Sequence, residues 1–171
     1  QWKLYTTLSP SAIQLGESLG ISKEVMEELH VADGTEGTLL FPVFIKDKLI
    51  DIRSYTPGGN PKVKSRPGAL TGEIIPLDIW QKTPLRKTTL ICAGEKDMAT
   101  TRSHGFNAIT ITGGEMALPF SPQMFKDRNV VILYDHDNAG LLGANRLASY
   151  LLDYCKSVRV CMKFHEICVE D

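Results

Sequence analysis

From about Leu85 onward the chain repeats one pattern. A short, almost wholly apolar run is followed by a polar or glycine-bearing break and then by residues at helical spacing. The apolar runs are "TTLICAG", "NAITITGG", "NVVILYD" and "SVRVCMKF"; between them lie "EKDMATTRSHG", "SPQMFKD" and "NAGLLGANRLASYLLDYC". Strands that are apolar at consecutive positions, rather than alternating, are buried on both faces, and that requires helices on both sides of a parallel sheet. The pattern predicts an α/β domain over about 85–171, a small parallel sheet flanked by helices. In its longest helical stretch Leu142, Asn145, Leu147, Leu151 and Leu152 mark the expected inner side.

The first 84 residues have another character and are expected to form a separate N-terminal α+β subdomain. "SKEVMEELHV" has helical spacing, with Ser22 as the expected N-cap. "GTLLFPVFI" and "KLIDIRSYT", separated by "KDK", read as an antiparallel hairpin. The density of Pro, Gly and Asn in "PGGNPKVKSRPGALTG" argues against regular structure, and this stretch carries Lys62, Lys64 and Arg66.

Composition limits the partners. With 171 residues, 43% hydrophobic and a formal net charge of −1, the chain can bury a core but presents no bulk field for a polyanion. Nucleic-acid binding would depend on local basic clusters. No apolar run reaches the ~18–20 residues of a membrane span, and a cytoplasmic protein without membrane contact is expected. A start at Gln1 reads as a segment of a longer protein. The four cysteines, Cys92, Cys155, Cys161 and Cys168, form no CxxC pair; they are expected to be buried thiols, the alternative being a zinc site from Cys161, His165 and Cys168.

In a parallel α/β sheet, ligands gather outside the carboxyl ends of the strands. Three of the strand ends here are "AGEKD", "TGGE" and "DHD", so Glu95, Asp97, Glu115, Asp135 and Asp137 are expected on one rim. Oxygen-rich clusters of this kind suit Mg²⁺ or Mn²⁺, which also offset the mutual repulsion of the carboxylates. The plainer role for Asp135 or Asp137 is to cap the helix that follows. Counted from Asp135, an EF-hand loop fails at Ala139 and Arg146, and a haloacid-dehalogenase-like Asp-x-Asp-x-Thr fails at Ala139. Gly113 and Gly114 are open to two readings, a close approach to phosphate or a simple turn.

"AGEKD", "TGGE" and "LYDHDNAGLLGANRLA" together resemble the TOPRIM domain of bacterial and phage DNA primases, and "FPVFIKDKLIDIRSYTPGGNPKVKS" resembles the basic subdomain that precedes it. The resemblance covers roughly residues 36–165. It implies the RNA-polymerase core of a primase, alone or fused to a helicase, making short RNA primers on single-stranded DNA from NTPs with Mg²⁺ or Mn²⁺. It implies Asp97, Asp135 and Asp137 at the metal, with Glu95, Asp135 and Asp137 in catalysis. Arg53, Lys62, Lys64, Arg66 and Lys96 are then expected on nucleotide phosphates or template, with a replicative helicase as partner. Where the family reads Glu-Gly after the first strand, this chain reads Ala93-Gly94. Three explanations follow: Glu95 turns in to replace that glutamate, the chain binds without catalysing, or the residue has been substituted deliberately. A non-catalytic TOPRIM module binding metal, nucleotide or nucleic acid and a TOPRIM nuclease are the alternative functions.

Overall fold

The computed structural model describes residues 8–35 and 37–161. Two short helices come first among the described residues, α1 (Pro10–Ser18) and α2 (Lys23–Glu28), capped by Ser9 on Ala12 N–H and by Ser22 on Val25 N–H. The Ser22 cap was legible in advance; α1 was not. Four strands then form an antiparallel sheet in the order β1-β2-β3-β4: β1 (Ala32–Asp33), β2 (Leu39–Ile45), β3 (Lys48–Tyr55) and β4 (Val63–Lys64). The hairpin of β2 and β3 is the one expected, and Lys46 and Asp47 turn it at φ 50° and 60°. A two-residue hairpin loop needs positive φ at both central positions to match the twist of its strands. The Pro/Gly-rich stretch is more ordered than its composition suggests, because Val63 and Lys64 pair with Tyr55 and Ser54.

A second, five-stranded sheet has the order β5-β7-β6-β8-β9. It contains β5 (Ile74–Ile75), β6 (Thr89–Cys92), β7 (Ala108–Ile111), β8 (Asn129–Leu133) and β9 (Ser157–Val160). β6 to β9 are parallel as expected, whereas β5 joins antiparallel to β7 at one edge, so the sheet is mixed. α3 (Leu77–Gln81), α4 (Glu95–Ser103), a 3₁₀ turn (Pro122–Phe125) and α5 (Asn138–Leu151) complete the set. The result is a mixed α/β architecture with a parallel-containing sheet flanked by helices.

Two apolar clusters hold it together. One joins Met26, Leu39, Phe41 and Tyr55 to Met98 and Ala99 of α4 and to Leu90, Cys92 and Ala108 on one face of the second sheet, so it draws on both sides of position 85. The other packs Trp80, Phe125, Ala144, Leu147 and Leu151 against Ile91, Ile109 and Ile132 on the opposite face. The inner side of α5 differs from the leucine pattern. Gly140, Gly143, Ala144, Leu147 and Leu151 are buried, while Asn145 is exposed and Leu142 and Leu152 are 62% and 66% exposed. Small residues set the buried stripe because the helix lies against backbone, and leucines one position off that stripe point outward.

Candidate active site

The order of the second sheet sets where a ligand can sit. From central β6 the chain crosses through α4 on one face to β7, whereas β8 leads into α5 on the other face. Between β6 and β8 the winding reverses, the position at which sheets of this kind form a ligand crevice outside the carboxyl ends. Ala93 and the first turn of α4 border it on one side, and Asp135 to Asp137 on the other.

Each acidic side chain is placed by a local reason. Asp137 is the N-cap of α5, its Oδ1 accepting the Gly140 N–H at 2.8 Å. The capping role foreseen for the pair thus falls to the second aspartate. Glu115 follows the turn made by Gly113 (φ 101°) and Gly114 (φ 79°), and its Oε1 accepts the Asp135 N–H at 3.1 Å. Gly113 lies against Thr71 whereas Gly114 faces open space. α5 comes close enough for this only through its glycines. A Cβ on Gly140 would lie 2.1 Å from the Asp135 carbonyl oxygen, and one on Gly143 would lie 2.4 Å from that of Glu115. Each glycine inside a helix costs about 0.5–1 kcal/mol relative to alanine, so two in one face mark a close backbone contact.

The carboxylates of the rim feel one another. Partial burial pushes the Glu115 carboxyl above its usual range, and Asp135, Asp137 and Asp97 push it further, against the Asp135 N–H. Lys96 counters that charge. Its Nζ donates to Asp97 Oδ1 at 2.9 Å, and this bond, with the charges of Tyr55 and Asp135, raises its pKa. Asp97, Lys96, Glu115, Asp135 and Asp137 are thus near enough to act on one another's charge, whereas Glu95, expected on the same rim, is not among the charges acting on Glu115 or Lys96. Among the described residues no three His, Cys, Asp or Glu side chains are gathered into a cage for a metal. The donor set still fits Mg²⁺, which is bound through one or two carboxylates with water and substrate phosphate rather than by an all-protein cage. Asp135 and Asp137 are the residues that would hold it.

Glu95 lies elsewhere. It opens α4 and was expected to turn toward the rim in place of the absent carboxylate at Ala93; instead its side chain is buried, 4% exposed, and accepts from Arg53 Nε at 2.8 Å. Arg53, 10% exposed, also donates through Nη1 to Ser65 Oγ. Arg66 reaches back to β3 as well: its Nη2 donates to the Ile50 carbonyl at 3.2 Å and its Nε lies 3.6 Å from Asp51 Oδ1. Of the basic residues expected on phosphate, Lys62 and Lys64 are exposed on the β4 segment, without an ion pair among the described residues.

Sequence reasoning placed Glu115 on the rim but gave it no role; the signal for one was the Gly140/Gly143 pair, which makes room for it. Cys92 is buried with its thiol pushed up to about 12 by desolvation, as expected of a buried thiol. Asp135 is joined to Asp137 by His136, whose Nε2 lies 3.3 Å from the Cys161 carbonyl oxygen. His165 and Cys168 of the alternative zinc site lie outside the described residues.

No family model matches the sequence and no curated protein is significantly similar to it. Solved structures are similar in fold. The Aquifex aeolicus primase, with its zinc-binding and RNA polymerase domains, superposes with a TM-score of 0.72 at 14% identity, over 92% of this chain and 52% of that one. The primase fragment of the bacteriophage T7 primase-helicase gives 0.65 at 15% identity, over 92% and 64%. A bacteriophage T7 lagging-strand polymerase assembly, with primase domains bound to an RNA/DNA hybrid and dTTP, gives 0.56 at 13% identity, over 94% and 72%. The chain spans about half the length of the Aquifex protein and just under two thirds of the T7 fragment. Across nearly all of its length the chain has a primase-like fold, that of bacterial and phage primase fragments.

Proposed function

We propose that the chain is the core segment of a DNA primase, joining NTPs into short RNA primers on single-stranded DNA by metal-dependent nucleotidyl transfer. One observation carries the reading. In a primase-like fold, acidic side chains that follow three strand ends act on one another's charge where the winding reverses, and Arg53 links the segment bearing Lys62 and Lys64 to the start of α4. The reading agrees with the resemblance of "LYDHDNAG" to TOPRIM primases.

In such a transfer a 3′-hydroxyl attacks an α-phosphate and pyrophosphate leaves. Mg²⁺ or Mn²⁺ held by Asp135 and Asp137 would supply the acidified hydroxyl and the neutralised phosphate oxygens. The chain's own residues do the rest. Asp137, fixed by the Gly140 N–H, keeps its carboxylate at the mouth of the crevice. Glu115 holds the backbone of Asp135 in place. Lys96 balances charge between Asp97 and Asp135, and Lys62 and Lys64 offer exposed cations to phosphate. Single-stranded DNA, NTPs and a replicative helicase, fused or separate, are the partners this reading assigns.

The test is primer synthesis by the full-length protein on a single-stranded template with NTPs and Mg²⁺ or Mn²⁺. Short RNA products that vanish with Asp135→Ala, or on chelation, support the reading. A second reading, a non-catalytic module that binds nucleotide or nucleic acid, draws on Ala93 and on the engagement of Glu95 by Arg53. Metal-dependent binding without product would replace the first reading by the second, and a degraded template would point to a nuclease.

A further inference from the structure

Resting on the nucleic-acid reading of the crevice, we infer that Arg53, Glu95 and Ser65 do not meet phosphate or metal but are positioning residues, which hold in place the segment that presents Lys62 and Lys64. Three observations converge. Two of the three guanidinium nitrogens of Arg53 are engaged inside the protein: Nε is bound to Glu95 of α4 and Nη1 to Ser65, the residue that directly follows β4. It thereby ties three elements, β3, β4 and α4, at one point. With its side chain 10% exposed and that of Glu95 4%, the pair is closed to a polyanion in solution.

A second tie repeats the pattern. Asp51, Arg53 and Tyr55 lie at alternate positions and share the buried face of β3. Asp51 is 3% exposed, its oxygens make no hydrogen bond, and Arg66 is its ion partner. Moving Arg66 to a phosphate would strand a buried carboxylate, an expensive exchange. Both arginines therefore fasten residues 65 and 66 to β3, and Thr56 N–H to Lys62 carbonyl at 2.8 Å closes the turn that leads there. What the anchored segment presents outward is Lys62 and Lys64. Their charge is compact and needs no bidentate geometry, which suits a backbone read without regard to base.

The experiment is binding of a fluorescent oligothymidylate by anisotropy across a salt series, with folding checked by circular dichroism. Each lysine–phosphate pairing removed from a single-strand complex lowers the slope of log affinity against log salt by about 0.7. Lys62→Gln and Lys64→Gln are each expected to lower it by about that amount. Ser65→Ala cuts only the tie from Arg53, and Arg53→Lys keeps the charge but cannot reach both partners. Each is expected to weaken binding about fivefold, the worth of one hydrogen bond, with the slope unchanged. If Arg53 touched phosphate itself, Arg53→Lys would bind like the wild type and Ser65→Ala would be silent; either result overturns the inference. Should Arg53→Lys fail to fold, Ser65→Ala at its more exposed site decides alone. A wild-type protein that binds no oligonucleotide sinks the nucleic-acid reading and the inference with it; binding with wild-type affinity in Ser65→Ala sinks the inference only.

Discussion

The two sheets treat charge in opposite ways. Along the carboxyl rim of the five-stranded sheet, Asp97, Glu115, Asp135 and Asp137 stay accessible, repel one another and lean on a single lysine. On the buried face of the four-stranded sheet, Asp51 and Arg53 are withdrawn from water and matched by Arg66 and Glu95. The unbalanced charge of the rim is what the proposed metal ion would offset. A buried face with balanced charge is built to hold one sheet at a fixed distance from the other. Charged residues of the same type thus serve the site in one sheet and the scaffold in the other, and burial is what separates the two uses.

The comparison can be broken most sharply at the buried pair. Arg53→Met leaves Glu95 without its partner in the interior and is expected to lower unfolding free energy by about 3–5 kcal/mol in urea denaturation. The double variant Arg53→Met/Glu95→Met should return to wild-type stability or above, since a well-packed apolar pair replaces two desolvated charges. A double variant as unstable as the single one would show that the pair is more than a balanced charge.

Gly143→Ala comes next. A methyl group there meets the Glu115 backbone, and the overpacking is expected to cost about 1–3 kcal/mol, read by thermal denaturation. The same shift should weaken Mn²⁺ binding measured by electron paramagnetic resonance. A third variant pair separates capping from charge on the rim. Asp137→Ala loses the cap and should cost about 1 kcal/mol, whereas Asp137→Asn keeps it and should be nearly neutral. Both are expected to lose Mn²⁺ affinity, and Asp137→Asn with unaltered affinity would remove Asp137 from the metal set.

The smallest effect concerns pH. The Glu115 carboxyl is raised above its unfolded value, so the folded state holds its proton more tightly than the unfolded chain. The resulting penalty is absent below the unfolded pKa, grows as pH rises through the folded pKa, and is complete above it. Glu115→Gln removes the charge and keeps an acceptor for the Asp135 N–H, so its Tm should exceed that of the wild type at pH 7. The two should converge at about pH 4, near the ordinary carboxylate value. A lower Tm for Glu115→Gln at pH 7 would mean that the rim charge is favourably engaged.

The same contrast explains what could be read in advance. The parallel strands announce themselves because "LICA", "NAITI" and "VVILY" are apolar without interruption, and only a covered sheet uses such runs. Their ends then place Asp97, Glu115, Asp135 and Asp137 together by topology alone. β5 escaped notice because two residues, Ile74 and Ile75, are too short to show a period, and β4 because Val63 and Lys64 sit in a Pro/Gly-rich stretch. The orientation of α5 was misread because leucine is a strong signal and glycine a weak one, although Gly140 and Gly143 decide which side faces in. The pairing of Glu95 with Arg53, 42 positions apart, is a property of two sheets meeting. No local pattern carries it, and Glu95 next to a missing glutamate invites the opposite expectation.

The glycine seam of α5 carries a consequence for anyone wishing to alter the site. Asp135 and Glu115 are located by main-chain atoms pressed against a helix with no side chains at the contact. The address of each side chain is therefore written in the backbone, and the functional group delivered there is a separate choice. Histidine or asparagine at 135 should arrive where the carboxylate now stands, so the donor offered at this rim can be exchanged one side chain at a time.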